Sequence, residues 1–502
     1  MAARPSPRDR PSSPSTPRWA CPSSSVVPSR ASRGLAPLGL LALSASLRLP
    51  ALDLRPLHHD EGSNAIFVLR LLHEGAYRYD PTNYHGPVLF YLSALAIRLF
   101  GAATISLRLA PAALGALIAP LAWCLRGELG RAGALSAGAL LAVSPSLVYY
   151  ARDDIHETYF VAFTLLLFVG LVRGGREGGS AAWMLAGGAA AGALLATKET
   201  APVTFGCLAI GTLAAGRVWP GRPRPARLAL LAGAALLVAA ASYSRLFTEP
   251  ESLRDAWRGL GVWGHRALAA EGHEKPWWYF PMILGREEGA ALLAGVAGGV
   301  LALRRQDRFG HLLAAWSLAA LAAYSAIPYK TPWLVLNLIL PLCLLAGVAF
   351  QAALARERPA RARRAAGALL ALLASGSLLR AVDLSFVRYD DPGASPLVYV
   401  QTRRDALRLV SRIEEVATRD PEGRSVGIQI LSPDYLPLNW YLRDFDNVGY
   451  FGKPIDRPEG SMIIARSDAA DEVATRLEGV YRREEYDLRP GVRLCLFVRE
   501  GP

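Results

Sequence analysis

Cysteine is scarce and scattered. Cys21, Cys124, Cys207, Cys343 and Cys495 stand far apart, three of them inside apolar runs, so neither a disulfide framework nor a zinc motif is indicated. Charge is thin as well, at 19% of 502 residues, and acidic residues are almost missing from the first 33, where Asp9 stands alone among Pro, Ser and Arg. Such a composition builds no core, and 1–33 is expected to be a disordered basic cytoplasmic tail. It lacks a basic region leading straight into an apolar core with a small-residue cleavage site, so the apolar segment near Leu35 is expected to be an uncleaved anchor. No internal repeat is visible. The net charge of +13 does not indicate nucleic acid, because the basic residues sit in short clusters between apolar runs, where they set membrane topology.

What the chain does have is apolar length: 52% of residues are hydrophobic and the mean hydropathy is +0.23, too high for an ordinary soluble protein of this size. Spanning helices are expected at 34–50, 106–125, 132–150, 156–173, 181–197, 200–216, 227–244, 289–303, 309–327, 331–352 and 364–380. Ala- and Gly-rich stretches such as 187–192 suit close helix packing in lipid. The run 87–101 is apolar enough to be another span, but charge parity argues against it. With the Arg-rich tail inside and Asp60 outside, Arg126 and Arg131 fall inside only if the helix at 106–125 is the single crossing between them. Residues 87–100 are therefore expected to lie along or dip into the outer surface. The later basic loops, around Arg173, Arg222, Arg304 and Arg361, then all fall on the cytoplasmic side.

From about 381 the composition turns soluble, with a net charge near −4. Helices are expected over 398–419 and 471–478 and strands over 426–430, 461–465 and 492–498, giving a small α/β domain. The fold class is thus an α-helical polytopic membrane protein of about 11 spans with a C-terminal extracytoplasmic α/β domain. Its parts are a tail (1–33), a transmembrane part (34–380) with outer loops 51–105 and 245–288, and the α/β domain (381–502).

The charged constellations of interest share the outer face. His58-His59-Asp60-Glu61 follows the first span directly, and ionisable groups that close to hydrocarbon usually have a task. One carboxylate reads as a general base and its neighbour as an orienting group or cation ligand; the same pair also reads as the capped first turn of a helix. His58, His59, His73 and His85 match no strong metal motif, so metal is left unknown, with a divalent ion as an option. Arg152 and Asp154 read as a second acidic loop or as an interfacial ion pair. Lys198-Glu199 and Lys330 (beside Tyr329) lie between long apolar runs, where a lysine needs an anion such as a lipid phosphate, or must snorkel to the interface. His273, Trp277 and Trp278 read as a sugar-binding wall or as an interfacial aromatic belt.

Taken in order, HHDEG at 58–62, YRYDPTNYHGP at 77–87, ARDDI at 151–155, ATKE at 196–199, YKTPWL at 329–334 and NWYLRDFDNVGYFG at 439–452 resemble the GT-C superfamily of polyprenyl-phosphate-sugar-dependent glycosyltransferases. The pattern is similar to the dolichyl-phosphate-mannose protein mannosyltransferases and aminoarabinose transferases. Most closely it resembles the prokaryotic flippase-activity-associated membrane proteins. The resemblance implies Asp60 as catalytic base with Glu61 as its partner, Asp154 as the acid of the second loop, Lys198 and Lys330 as contacts to the donor phosphate, and His273 in the pocket wall. The chain departs from that pattern at Gly62, where serine is common. The implied activity is inverting transfer of a sugar from a polyprenyl-phosphate donor to a glycan, lipid or protein hydroxyl at the outer face of the cell membrane. Two other readings stay open: a flippase-associated or transport protein without transfer chemistry, and a structural assembly protein of the membrane.

Overall fold

A computed structural model describes residues 30–75, 77–83, 85–176, 178–216, 224–269 and 273–500. The expected tail lies outside these residues, except for its last four, which open the first helix. The helical part runs α1 (Arg30–Arg48), α2 (His59–Glu74), α3 (Val88–Phe100), α4 (Thr104–Ala122), α5 (Gly130–Val143), α6 (Pro145–Tyr150), α7 (His156–Gly175), α8 (Ala181–Leu195), α9 (Ala201–Ala214), α10 (Pro225–Tyr243), α11 (Ser252–Ala269), α12 (Tyr279–Glu287), α13 (Gly289–Arg305), α14 (Arg308–Ala326), α15 (Leu336–Ala353) and α16 (Ala360–Val382). Each of the eleven expected spans coincides with one of these helices or with two run together. Among the described residues, six segments are long and apolar enough to cross a membrane by themselves: Thr104–Leu125, His156–Gly175, Pro225–Tyr243, Arg308–Ala326, Pro332–Ala353 and Ala360–Val387. The chain is a multi-pass membrane protein.

Small residues set the helix contacts. A Cβ on Gly170 of α7 would come within 2.6 Å of the Gly187 Cα of α8, so the two helices touch backbone to backbone. Where Pro145 interrupts the run from α5 to α6, Ser144 Oγ caps Leu147 N, and the Glu288 carboxylate accepts from Ser144 Oγ and Ser146 N, both at 2.8 Å.

The connections sort to two ends. At one end Arg176 pairs with Glu128, Arg227 donates to Gly174 O at 3.0 Å, and Arg305, Asp307 and Gln351 line a cavity of about 200 Å³ with Glu128. This gathers the basic connections as charge parity requires; Arg217 and Arg222 lie outside the described residues. The expected helix of 87–100 is α3, 13 residues and about 20 Å long. Gly86 N and Val88 N bond Thr197 O and Ala196 O at its start, while Ala102 and Thr104 just beyond its end meet Arg443 and Trp440. Both ends thus sit at the same end of the bundle, and α3 lies across it.

After α16 come α17 (Asp405–Arg419), β1 (Ile428–Ile430), α18 (Leu438–Tyr441), β2 (Val448–Tyr450), β3 (Met462–Arg466), α19 (Ala470–Thr475), β4 (Tyr481–Arg489) and β5 (Val492–Arg499). The five strands form one sheet in the order β2-β1-β3-β5-β4, with β1 parallel to β2 and β3 and the remaining pairs antiparallel. Alternation assigns the faces. Met462, Ile464, Leu494 and Leu496 turn toward Leu409 and Ile413 of α17; Ile463, Ala465, Cys495 and Phe497 turn toward Ala470 and Val473 of α19. The helix expected from Val398 starts only at Asp405, because 398–404 instead run across the fold, with Arg403 N on Leu488 O and Gln401 on Pro56 O. β4 was not expected. Its Arg483, Glu484, Glu485 and Asp487 suit a solvent-facing edge strand, where charge also blocks further pairing.

The sheet part is locked onto α2 and α3 by the segment around Asn439-Trp440-Tyr441-Leu442-Arg443. Trp440 is buried among Leu57, Ala65, Val68 and Phe90, Tyr441 Oη accepts from Leu57 N at 2.8 Å, and Asn439 Nδ2 donates to Gly62 O at 2.8 Å. Gly62 departs from the common serine for a visible reason: a Cβ there would lie 2.7 Å from Pro437 Cα. A Gly62→Ala variant is expected to lose about 1–3 kcal/mol by overpacking this seam, read as a lower thermal unfolding midpoint in detergent.

Candidate active site

His58 and Glu61 form a capping box. His58 Nδ1 accepts from Asp60 N at 3.0 Å and Glu61 Oε2 accepts from His58 N at 2.7 Å, fixing the first turn of α2. Helical spacing then separates the carboxylates. Asp60, Ser63 and Asn64 share one face (i, i+3, i+4) and line a cavity of about 260 Å³, while Glu61 turns into the protein and is fully buried. Its Oε1 accepts from Arg108 Nε at 2.7 Å and Asp154 N at 2.8 Å, and its Oε2 accepts from Arg108 Nη2 at 2.5 Å. Arg108 in turn binds the carbonyls of Leu52, Arg55 and Pro56 at 2.7–3.0 Å. Although burial opposes it, the Arg108 guanidinium holds Glu61 below the ordinary carboxylate range.

The other walls come from junctions between helices. His156 and Glu157 open α7, Lys198 and Glu199 lie between α8 and α9, and Tyr329, Thr331 and Trp333 lie before α15. Lys198 is ion-paired with Glu157, and His85 Nδ1 meets Glu199 Oε2 at 2.8 Å while its ring packs 4.4 Å from that of His156. Trp263, Arg266 and Ala267, on one face of α11, close the cavity. The sequence reading missed these three because 245–288 was read as loop; the signal was the amphipathic spacing within 252–269.

Of the expected site residues, the structure brings Asp60, His85, Lys198, Glu199 and Tyr329 to the cavity. It places the others elsewhere, each for a local reason. His58 is spent on the cap and on Tyr399 O at 2.8 Å. His59 is pushed down to about 4 by burial, with Arg489 adding to the effect, so its neutral Nδ1 accepts from Arg489 Nη1 at 3.2 Å. Arg152 donates to the Pro50 and Ala51 carbonyls, both at 2.6 Å, beyond the end of α1. Asp154 is fully buried and accepts from Ser93 Oγ at 2.9 Å and Tyr159 Oη at 2.8 Å; burial, with Glu61 nearby, raises it well above the usual carboxylate range. Lys330 is 2% exposed, its ammonium held by the Ile327 and Lys275 carbonyls at 2.6 and 3.1 Å.

His273 pairs through its backbone oxygen with Lys330 N and through its ring with Tyr399 Oη at 3.2 Å, bringing its segment beside 328–330. Trp277 and Trp278 face outward, 70% and 49% exposed, because α12 starts just after them and turns Tyr279 and Phe280 inward instead. The cavity's indoles are Trp263 and Trp333. Among the described residues no group of three or more His, Cys, Asp or Glu side chains is placed to hold a metal ion.

The fold resembles those of known proteins. Residues 84–244, about a third of the chain, match the family model described as dolichyl-phosphate-mannose-protein mannosyltransferase. No curated protein matches. Among solved structures, ArnT from Cupriavidus metallidurans bound to undecaprenyl phosphate superposes with TM-score 0.63 and 17% identity, covering 93% of this chain and 99% of that one. Its apo form gives 0.64, 18%, 94% and 100%. The archaeal oligosaccharyltransferase AglB from Archaeoglobus fulgidus, in complex with an inhibitory peptide and a dolichol-phosphate, gives TM-score 0.55 and 13% identity over 87% of this chain and 69% of that one. The fold is the GT-C fold.

Glu61 is worth most to stability where it is charged. Its folded pKa lies below its unfolded one, so its contribution is present above the ordinary carboxylate range and is lost as pH falls through the depressed value. Glu61→Gln is expected to cost about 3–5 kcal/mol at neutral pH by leaving Arg108 buried without its anion, and to flatten the acid limb of a stability-against-pH curve in detergent.

Proposed function

We propose that the chain is a GT-C glycosyltransferase that moves a sugar from a polyprenyl-phosphate donor to an acceptor hydroxyl on the outer face of the cell membrane. The observation that carries this is the placement of Asp60: a partly exposed carboxylate on a capped helical turn, lining the same cavity as Lys198. The likeness of the fold to a structure that holds undecaprenyl phosphate, and the mannosyltransferase model over 84–244, support the donor class. The basic end is cytoplasmic by the positive-inside rule, which puts the cavity, the sheet part and a lipid-borne donor on the outside.

The chemistry follows from the walls. The acceptor oxygen attacks the anomeric carbon, its proton passes to Asp60, and the bond from that carbon to the phosphate oxygen breaks with inversion. Lys198 and Arg266 stand where the departing phosphate charge is stabilised, and Trp263, Tyr329 and Trp333 offer ring faces to the sugar. Glu61 and Arg108 position α2 rather than touch substrate, and Lys330 holds the 273–275 segment against the 327–330 turn.

The test is transfer of labelled sugar from undecaprenyl- and dolichyl-phosphate sugars by the reconstituted protein, offered glycan, lipid and protein acceptors. Asp60→Asn is expected to reduce transfer by about 10²–10⁴-fold at matched protein levels, the usual worth of a general base. Equal transfer by both proteins removes Asp60 from the chemistry. Movement of lipid-linked sugar across liposomes without transfer replaces this reading by the transport one.

A further inference from the structure

Lys198, the buried cation of the cavity, already holds an anion. Its ammonium is paired with Glu157, both side chains lie within the protein, and both line the cavity. The next residue, Glu199, is held 2.8 Å from His85 on the same wall, so Glu157 is not the only carboxylate facing an incoming phosphate. A site evolved only to attract phosphate gains nothing from two carboxylates beside its lysine.

The reaction explains them. This argument rests on the reading of the cavity as the donor-phosphate site. The donor phosphate is a diester with one negative charge. Breaking its bond to the anomeric carbon leaves a polyprenyl phosphate monoester, whose charge is about −1.5 to −2 at neutral pH. Lys198 and Arg266 without a competing anion would therefore hold the spent carrier more tightly than the donor, the wrong order for turnover.

We infer that Glu157 is a built-in competitor for Lys198, displaced by the donor phosphate and returning to the ammonium to expel the more highly charged polyprenyl phosphate product. Glu157 touches the phosphate's partner rather than the reacting atoms, so it is a positioning residue for release. Glu199, tied to His85, keeps a fixed negative charge on the same wall while Glu157 is displaced.

The test is binding of undecaprenyl phosphate to the full chain in nanodiscs, with phosphatidic acid as a second arm carrying the same monoester on an ordinary lipid. Glu157→Gln is expected to bind undecaprenyl phosphate roughly tenfold more tightly than wild type, and its steady-state transfer to become more sensitive to added product. Equal or weaker binding overturns the inference, as does tightening confined to the phosphatidic acid arm. The gain must disappear in the Glu157→Gln, Lys198→Gln double variant; its persistence there also overturns it. Should Glu157→Gln not fold, Glu157→Asp, which draws the carboxylate back by one methylene, is expected to tighten binding by a smaller factor, and no change there counts equally against it. Tightening by Glu157→Gln in a protein that transfers no sugar keeps the competitor role and removes only the transferase reading.

Discussion

The buried pair of Glu61 and Arg108 fixes the geometry of the whole site end. Arg108 comes from α4 and Glu61 from α2, and between them they bind the carbonyls of 52–56, the amide of Asp154 and the cap of α2. A buried ion pair is poor evidence for net stability, since desolvation offsets most of its attraction. Its value here is geometric. A charge that would be expensive anywhere else in this environment can sit in only one place, so the turn that presents Asp60 has one position.

That constraint divides labour between adjacent residues. Asp60 and Glu61 are chemically near-equivalent, yet one helical step sends one to the cavity and the other into the protein. The same division recurs in the second acidic loop, where Arg152, Asp153 and Asp154 all serve the scaffold while His156 and Glu157, only a few residues later, line the cavity.

Much of this was legible in the chain. The apolar helices and the gathering of basic loops at one end follow from hydropathy and charge parity, which report the solvent directly. Asp60 and Lys198 were legible because ionisable groups beside hydrocarbon need a reason. Three things were not. Lys330 looked like a phosphate ligand because sequence gives a lysine's depth in the chain but not the carbonyls that solvate it. Trp277 and Trp278 looked like a sugar wall because the start of α12, which decides where they face, is set by packing of Tyr279 and Phe280. Arg266 was overlooked because the polar stretch 245–288 reads as loop unless the amphipathic spacing of 252–269 is weighed.

The seam between the sheet part and α2 has a consequence for biosynthesis. Leu57, Gly62 and Thr104 find partners in Tyr441, Asn439 and Trp440, residues more than 330 positions further along the chain. The membrane helices can insert as they are made, but the turn carrying Asp60 acquires these contacts only after residues 439–441 have been translated. Completion of this end therefore trails insertion of the membrane helices, and a chain that stops short of residue 439 leaves Asp60 on a turn without these supports.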